Sequence, residues 1–507
     1  MVKTPLSFYS SYYIDSKVDP SAVTNYGGLF PYLDLMLLSH LPKLAQECLG
    51  GHNQRGWHPA EHIAALLALN LTGGDCVDDL EKLESDAGIS LYMGQIARAL
   101  GIEKRRFTRG GARSIPSLTS IREWLDQFHN GEEEAHRGYG EAYVPSANEA
   151  LRGLRSLNRE FVTGAFDLYK RSGRGEVGRA TLEIDATYIE TQKRDALRCY
   201  KQFNAYSGLT VRWCETGLVI RDEFRDGNVP AGYRNREALE EAILHLNTEL
   251  GITDIWVRSD AAAHQETVLK MLSEWSGAPI KFAIGYKKTK EFRAEVKRRE
   301  DAVWERVCDG KGRLLYEVTE VPFVSNSEAL IKAAPYRHIV VRRRTKQGVL
   351  PGFTLSRDGE MGDEEWMEID GHAYRVWAII TNIGEEWSNR EVVDWYTQRC
   401  GGGEAIHSVI KSDLAGGQLP SNKFGANAGW WSLVILSHNL HALLEKLALP
   451  KGLVGSRFKR LRYHLINVPA RLVHHARRCC VRYFQESVRC IVQFVRGELN
   501  GLAAGGG

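Results

Sequence analysis

The sequence lacks the features of secreted, membrane and zinc-binding proteins. Its nine cysteines include no Cys-x-x-Cys pair and no zinc-ligand spacing, so we expect reduced thiols in a cytoplasmic protein. The first twenty residues contain no apolar signal segment. The most apolar run, residues 428–444, contains Ser, His and Asn and falls short of the ~20 apolar residues that a membrane helix needs. We therefore expect no membrane partner.

Two families of catalytic motif are missing as well. The glycine-rich stretches "GRGEVG" and "CGGGE" lack the Gly-Lys-Ser/Thr ending that a P-loop requires. No Gly-x-Ser-x-Gly elbow is present, which argues against a serine hydrolase.

The chain has little net charge, but its basic residues are unevenly spread. The total is +3, whereas residues 451–500 contain eleven Lys/Arg and two acids. Residues 103–113 and 287–299 form two further basic clusters. Single-sign clusters suit a polyanion such as DNA. Each cluster taken alone is equally well explained as solvated surface.

The length and the residue patterns predict several domains. A chain of 507 residues is too long for one hydrophobic core. Residues 1–150 are predicted to be helical, with Pro59 starting one helix, Gly73 ending it, and caps at Asp75 and at Ser117 or Thr119. This region fits a DNA-binding module and a plain helical bundle equally well.

A mixed α/β sheet is predicted to follow. Residues 175–300 contain strand patterns such as "RATLEIDATYIET" and "DIWVRSD" around one helix, and residues 301–385 form a strand-rich insertion. Helical patterns return over residues 386–450 and continue through a basic, helical region at 451–507. Trp430 and Trp431 are predicted to lie in a helical core rather than to stack on bases.

Three carboxylates stand out by their positions. Asp185 lies near the middle of the first predicted strand, Asp260 at the end of a later strand, and Glu404 at the start of a helix. Such a cluster repels itself without a cation, and Mg²⁺ prefers oxygen ligands. The ordinary alternatives are an edge acid for Asp185, a helix cap for Asp260 and a first-turn acid for Glu404.

The spacing after Glu404 adds a basic residue to the same helix face. Lys411 is seven residues further on, which places the two side chains within about 20° of each other on an α-helix. Ile406 and Ile410 point towards a core, and His407 is predicted to be a surface or DNA-facing histidine.

These segments resemble a known family. "LEIDAT", "VRSDAA" and "YTQRCGGGEAIHSVIKSDL" together resemble DDE transposases of bacterial insertion sequences, in the group with a Tyr-x-x-Arg…Glu…Lys signature. "GWHPAEHIAALLALNLTGGDCVDDLEKLESD", "DEFRDGNVPA" and "FGANAGWW" are similar to the same group. The resemblance covers most of residues 50–450.

The resemblance implies a fold, an activity and a set of site residues. It implies a ribonuclease H-like catalytic core, preceded by the helical N-terminal domain, interrupted by the β-rich insertion and followed by the basic region. It implies metal-dependent cleavage of inverted-repeat DNA ends and strand transfer into target DNA, with Mg²⁺ or Mn²⁺, as a homodimer in the bacterial cytoplasm near the nucleoid. By resemblance the catalytic and metal-binding residues are Asp185, Asp260 and Glu404, and the DNA-binding residues are Tyr396, Arg399 and Lys411.

One departure from the family signature concerns glycines. Four residues, Cys400 to Gly403, separate Arg399 from Glu404, where the family has three. We hypothesise that the glycine run forms a break or a π-type bulge that realigns the helix. The alternative is a simple loop between two helices. Two other function classes stay open, a DNA-binding protein without catalysis and a nuclease without end specificity.

Overall fold

The chain divides into two compact units. The computed structural model describes residues 2–5, 11–14, 22–50, 56–102, 113–136, 141–174, 178–287, 289–300, 303–322, 336–344, 366–369, 372–399, 403–475 and 478–504. The helical unit comprises Met1–Arg137, Pro145–Gly175 and Val409–Gly507, and the sheet unit comprises Gly138–Val144 and Glu176–Ser408. Within the described part, no helix combines the length and the apolar character needed to cross a membrane.

The α-helices are numbered in chain order. They are α1 (Phe30–Leu38), α2 (Leu41–Leu49), α3 (Pro59–Thr72), α4 (Leu80–Glu84), α5 (Ala87–Ala99), α6 (Leu118–Asp126), α7 (Gly131–Ala135), α8 (Glu149–Arg171), α9 (Asn235–Leu244), α10 (Glu266–Ser273), α11 (Lys290–Lys297), α12 (Asn389–Thr397), α13 (Gly403–Ser408), α14 (Phe424–Leu447), α15 (Phe458–Leu461) and α16 (Glu486–Ala504). Single π-helical turns follow α9, α13 and α15 at His245–Glu249, Val409–Asp413 and Arg462–Ile466.

The strands are numbered in the same way. They are β1 (Val2–Pro5), β2 (Ser11–Ile14), β3 (Val23–Thr24), β4 (Arg179–Glu190), β5 (Leu197–Arg198), β6 (Asn204–Trp213), β7 (Val219–Asp226), β8 (Asp254–Ser259), β9 (Lys281–Gly285), β10 (Glu305–Cys308), β11 (Leu314–Val321), β12 (Arg337–Arg344), β13 (Trp366–Ile369), β14 (His372–Thr381), β15 (Ala470–His475) and β16 (Arg478–Tyr483).

Helix α14 forms the centre of the helical unit. It is apolar on all sides and buried along most of its length, as expected of a helix inside a core. Trp430 and Trp431 are fully buried, which confirms their predicted core position. Some of its polar side chains have partners on other helices: Asn439 Nδ2 donates to Asn158 Oδ1 of α8 at 2.7 Å. A buried polar group costs free energy unless it is hydrogen-bonded, so such pairs specify how the helices pack.

The predicted helix boundaries are confirmed in α3 and α6 and wrong before α4. Pro59 opens α3, and Gly73 closes it in the left-handed conformation with φ of 96°. Ser117 caps α6 by accepting a hydrogen bond from the backbone N–H of Ser120. Asp75 is not a cap. Instead the carboxylate of Asp79 accepts from the backbone N–H of Asp75 at 2.9 Å, because the chain turns through a 3₁₀ turn there.

The sheet unit is built on an eleven-stranded mixed sheet. Its order is β10-β11-β12-β14-β9-β8-β4-β6, with β5 and β7 both paired to β6 and β13 paired to β14. The pairs β4–β8 and β8–β9 are parallel, and the other pairs are antiparallel. This arrangement agrees with the predicted mixed α/β sheet. The parallel strands β4, β8 and β9 lie in its middle, where their carboxyl ends meet at one edge.

The strands predicted as an insertion continue this sheet. Strand β14 pairs with β9, so β10 to β14 extend the sheet at its β9 side. Helix α12 packs on this part through Val392, Val393 and Trp395, which join a core cluster with Trp256 and Ile379. The predicted second core segment, residues 386–450, is divided between the units after Ser408.

The C-terminal region contains a hairpin as well as the predicted helices. Strands β15 and β16 pair with each other, and β15 also pairs with β3. The alternating residues "ARLVHH" and "RCCVRY" explain the hairpin. Several basic residues of the C-terminal region, outside the hairpin, have partners within the helical unit. Arg457 pairs with the buried Asp413 at 3.3 Å, and Arg496 pairs with Asp34 at 2.8 Å. Part of the basic cluster at residues 451–500 is therefore explained by ion pairs within the protein.

Candidate active site

Two predicted acids meet at the edge of the sheet where the parallel strands end. Strands β4 and β8 are in register from Arg179 opposite Asp254 to Ile184 opposite Ser259. Asp185 follows Ile184 and Asp260 follows Ser259, so the two aspartates lie side by side. The structure therefore brings together two of the three residues predicted to be catalytic.

Asp260 ends its strand and begins a turn. Its Oδ1 accepts a hydrogen bond from the backbone N–H of Ala262 at 2.9 Å and so caps a 3₁₀ turn, Ala261–Ala263. The ordinary explanation of Asp260 as a helix cap is thus present in the structure. The cap also fixes the direction of the carboxylate beside Asp185.

The surroundings of Asp185 disfavour its charged form. Burial, together with the negative charge of Asp260, raises the pKa of the Asp185 carboxyl from its ordinary value to about 7, although Arg399 acts in the opposite direction. One oxygen, Oδ1, accepts from the backbone N–H of Ala186 at 2.9 Å. Two neighbouring carboxylates of this kind form a donor set of hard oxygen atoms, which suits Mg²⁺ or Mn²⁺.

A pair of opposite charges lies directly beneath these acids. Two residues earlier on each strand, Glu183 Oε1 accepts from Arg258 Nε at 2.7 Å, and both side chains are 7% exposed. Arg258 also donates to the backbone carbonyl of Trp395 on α12 at 2.7 Å. This pair was not predicted from the sequence. Each of its residues lies two positions before an acid on the same strand face, and this spacing could have indicated it.

The residues predicted to bind DNA lie at the end of α12 and beyond. The guanidinium of Arg399 lies 5.5 Å from the ring centre of Tyr396 and is close enough to Asp185 to act on its pKa. Tyr396 is buried, with 8% of the residue exposed, and belongs to the core cluster of the sheet unit. Lys411 lies in the π-helical turn after α13, which belongs to the helical unit. Contact with DNA stays a prediction for all three.

Gly285, at the end of β9, allows close packing beside Asp260. A Cβ atom on Gly285 would lie 2.8 Å from Ala261 N, 2.9 Å from the Tyr396 hydroxyl and 3.1 Å from the carbonyl carbon of Asp260. Real Cβ contacts are longer than this, so the site is closed to any larger residue without a shift of these groups. Sequence analysis did not single out Gly285.

The region around Glu404 is described in part. Helix α12 ends at Thr397 and α13 begins at Gly403, whereas Cys400, Gly401 and Gly402 lie outside the described residues. The hypothesis of a bulge there stays a prediction, and the observed π-helical turn comes later, at Val409–Asp413. The backbone of Glu404 lies in α13, and its side chain is outside the described part.

His407 lies elsewhere than predicted. We expected a surface or DNA-facing histidine, but its side chain is buried, with 7% of the residue exposed. Its Nε2 lies 3.1 Å from Thr210 Oγ1, and its Nδ1 lies 3.6 Å from Asp185 Oδ2. The prediction failed because helical periodicity gives the face of a residue but not the element that covers that face. Thr210, directly opposite Asp185 on β6, was missed as well.

A complete metal cluster is not seen in the described residues. Within the described part of the chain, no three His, Cys, Asp or Glu side chains come together as metal ligands. The two aspartates nevertheless fit a divalent cation, since they are adjacent, partly buried and mutually repulsive. The side chain of Glu404 would join Asp185 and Asp260 to complete the predicted set of three metal ligands.

The fold and the site define a class of α/β proteins in which adjacent parallel strands carry an acidic pair at one sheet edge. The sequence model of one family, described as transposase DDE domain group 1, matches residues 13–490. The chain therefore belongs to this transposase family.

Other comparisons add less. None of the curated proteins matches the chain significantly. Among solved structures, a piggyBac transposase in a synaptic complex with hairpin DNA is similar, with 13% sequence identity and a TM-score of 0.38 over 86% of this chain and 79% of that chain.

Proposed function

We propose that the protein is an insertion-sequence transposase that cleaves phosphodiester bonds at inverted-repeat DNA ends and joins the freed 3′ ends to target DNA. The observation that carries this proposal is the adjacent pair Asp185 and Asp260 on two central, parallel strands of a mixed sheet. The chain that carries the pair belongs to the DDE transposase family. The strand order β7-β6-β4-β8-β9, in which β6 alone runs antiparallel to the other four strands, supports a ribonuclease H-like core.

Each site residue has a part in this proposal. Asp185, Asp260 and Glu404 would hold Mg²⁺ or Mn²⁺, which supplies charge neutralisation and activation of the attacking oxygen when it is bound. The carboxylate of Asp260 is held in position by a hydrogen bond from the backbone N–H of Ala262. Arg399 places a positive charge near Asp185, and Arg399, Lys411 and Tyr396 are the proposed DNA-contacting residues. We further propose a homodimer on paired ends, in the bacterial cytoplasm.

The experiment uses the DNA that flanks the reading frame. The full-length protein is incubated with labelled duplexes that carry or lack the flanking inverted repeat, with Mg²⁺ or Mn²⁺. Asp185→Asn removes a site carboxylate. Asp254→Asn, at the other end of β8, is the matched control because it removes the charge of an exposed carboxylate paired with Arg179 and keeps an oxygen atom for the Trp256 indole N–H.

Each outcome decides between the function classes. Cleavage at the repeat boundary by the wild type and by Asp254→Asn, but not by Asp185→Asn, supports the transposase. Binding of paired repeats without cleavage favours a DNA-binding protein that lacks catalysis. Equal cleavage of repeat and random duplexes favours a nuclease without end specificity.

A further inference from the structure

His407 joins three elements around the proposed metal site. It lies on α13, three residues after Glu404, and its imidazole contacts Thr210 on β6 and faces Asp185 on β4. Asp185 and Thr210 are directly opposite each other in the antiparallel pair β4–β6. The imidazole therefore covers one cross-strand pair with its two nitrogen atoms.

The two contacts assign different roles to the two nitrogen atoms. If the Thr210 hydroxyl donates to Nε2, across 3.1 Å, the proton of the neutral ring sits on Nδ1. Nδ1–H then faces Asp185 Oδ2, which can only accept when it is ionised. The distance of 3.6 Å is longer than a hydrogen bond and shortens with a small movement of either side chain. In that tautomer both ring nitrogen atoms have a matching partner, the Thr210 hydroxyl at Nε2 and the Asp185 carboxylate at Nδ1.

Each oxygen atom of the Asp185 carboxylate thus has a neighbour, although only Oδ1 accepts a hydrogen bond at the observed distances. Oδ1 accepts from the backbone N–H of Ala186 at 2.9 Å, and Oδ2 faces His407 Nδ1. Partners of this kind, which orient a metal-binding side chain without touching the metal, commonly change metal affinity about 10- to 100-fold when they are removed.

We propose that His407, held by Thr210, is a positioning residue that orients Asp185 for the divalent cation and fixes α13 against β4 and β6. This inference rests on the proposed function, because it assumes that Asp185 binds the cation. It adds a contact between the strand of the first acid and the helix whose backbone contains Glu404. A buried histidine that only fills the core is the competing explanation.

The decisive measurement is the dissociation constant of Mn²⁺, by titration calorimetry on the full-length protein without DNA, together with the Tm of each variant. His407→Ala removes both contacts, and His407→Asn keeps a donor at the position of Nδ1. Thr210→Val removes the hydroxyl and Thr210→Ser keeps it. His338→Gln is the matched control, because His338 is a fully buried histidine on β12 that contacts Pro322 instead of an acid.

A positioning role predicts a particular pattern. His407→Ala should weaken Mn²⁺ binding about tenfold or more, Thr210→Val should weaken it less, and the double variant should be no worse than His407→Ala, since both act through one contact. His407→Asn should recover part of the affinity, and Thr210→Ser should bind like the wild type. His338→Gln should lower the Tm without changing Mn²⁺ binding.

Other results overturn the proposal. A lower Tm with unchanged Mn²⁺ affinity in His407→Ala and Thr210→Val would show that the histidine is merely structural. A loss of Mn²⁺ binding in His407→Ala as complete as in Asp185→Asn would make His407 a ligand rather than a positioning residue. If the wild type itself binds no Mn²⁺ without DNA, this inference fails, whereas the proposed function is decided separately by the cleavage assay.

Discussion

Two neighbouring rows of residues across β4 and β8 differ in how their charges are compensated. In the first row, Glu183 on β4 lies opposite Arg258 on β8, and the two charges form a buried pair at 2.7 Å. In the next row, on the same strands, Asp185 lies beside Asp260, and burial together with the like charge of Asp260 raises the pKa of Asp185. Two residues of separation change a compensated pair into a repulsive one.

The difference separates stability from function. A buried ion pair with further hydrogen bonds, such as that of Arg258 with Glu183 and the Trp395 carbonyl, offsets the cost of its own burial. The partly buried carboxylates of the second row are compensated only in part, by Arg399 and by the backbone N–H groups of Ala186 and Ala262. Their repulsion is relieved by a proton or by a cation, so the second row is the one that a ligand would stabilise.

Removing an acid of the second row should have the largest effect on activity. Asp185→Asn or Asp260→Asn should lower cleavage about 10³-fold or more, because a bound metal ion contributes several kcal/mol to the transition state. The Tm of the metal-free protein should stay unchanged or rise, since the repulsion is lost and Asn still caps the turn after β8. A fall in Tm that parallels the loss of activity would contradict the comparison.

Breaking the first row should instead act on stability. Arg258→Met should lower the free energy of unfolding by about 3 kcal/mol, because the buried Glu183 then loses its nearer partner at 2.7 Å and keeps only Arg212 at 3.3 Å. Chemical denaturation with urea measures this change. The double variant Glu183→Gln/Arg258→Met should recover much of the loss. If Arg258→Met alone is as stable as the wild type, the pair is not what compensates for the burial of Glu183.

A smaller effect is expected from the glycine beside Asp260. Gly285→Ala places a methyl group against Ala261 N, the Tyr396 hydroxyl and the backbone of Asp260. We expect about ten- to a hundredfold slower cleavage, as a displacement of a catalytic group by about 1 Å produces. Single-turnover cleavage at saturating Mn²⁺ measures this rate. Gly251→Ala, in the left-handed turn before β8, separates a general backbone cost from an effect on Asp260.

The smallest expected effect is a dependence of stability on pH. The native pKa of Asp185 is about 7, above the ordinary value of an unfolded Asp, so the native state binds this proton more tightly. Wild-type stability should therefore fall as pH rises from about 4 to 7 and level off above 7. Asp185→Asn lacks this loss, so its Tm advantage in the presence of EDTA should grow by a few degrees between pH 5 and 7.

A matched control accompanies the pH series. Asp254→Asn reports how far the loss of any one carboxylate moves the Tm. Addition of Mn²⁺ at pH 8 should reverse the order of wild type and Asp185→Asn, because the cation stabilises only the chain that binds it. A Tm advantage that is constant over the pH range would mean that the pKa of Asp185 is not raised in the native state.

The sequence predicted the strands and the two acids because local patterns determine both. The alternation around Asp185 predicted β4, and the strand that ends at Asp260 predicted β8. A parallel pair of strands then places their carboxyl ends together. The family resemblance selected these two acids from sixty-three acidic residues, which spacing alone did not do.

The contacts across elements could not be predicted in the same way. The register of β4 against β6 places Thr210 opposite Asp185, and register depends on hairpin geometry over a long connection. The position of His407 depends on where α13 packs, which helical periodicity does not give. The burial of Tyr396 follows likewise from the packing of α12 on the sheet.

The division of the chain also has a consequence for its synthesis. Apart from residues 138–144, the sheet unit is one continuous segment that ends at Ser408, whereas the helical unit needs residues on both sides of it. Helix α14, the centre of the helical core, leaves the ribosome only after the whole sheet unit has been made. The faces of α1, α3, α6 and α8 that pack on α14 stay uncovered until then. A transcript cut short after Ser408 would yield a product with both strand-borne acids and no completed helical core.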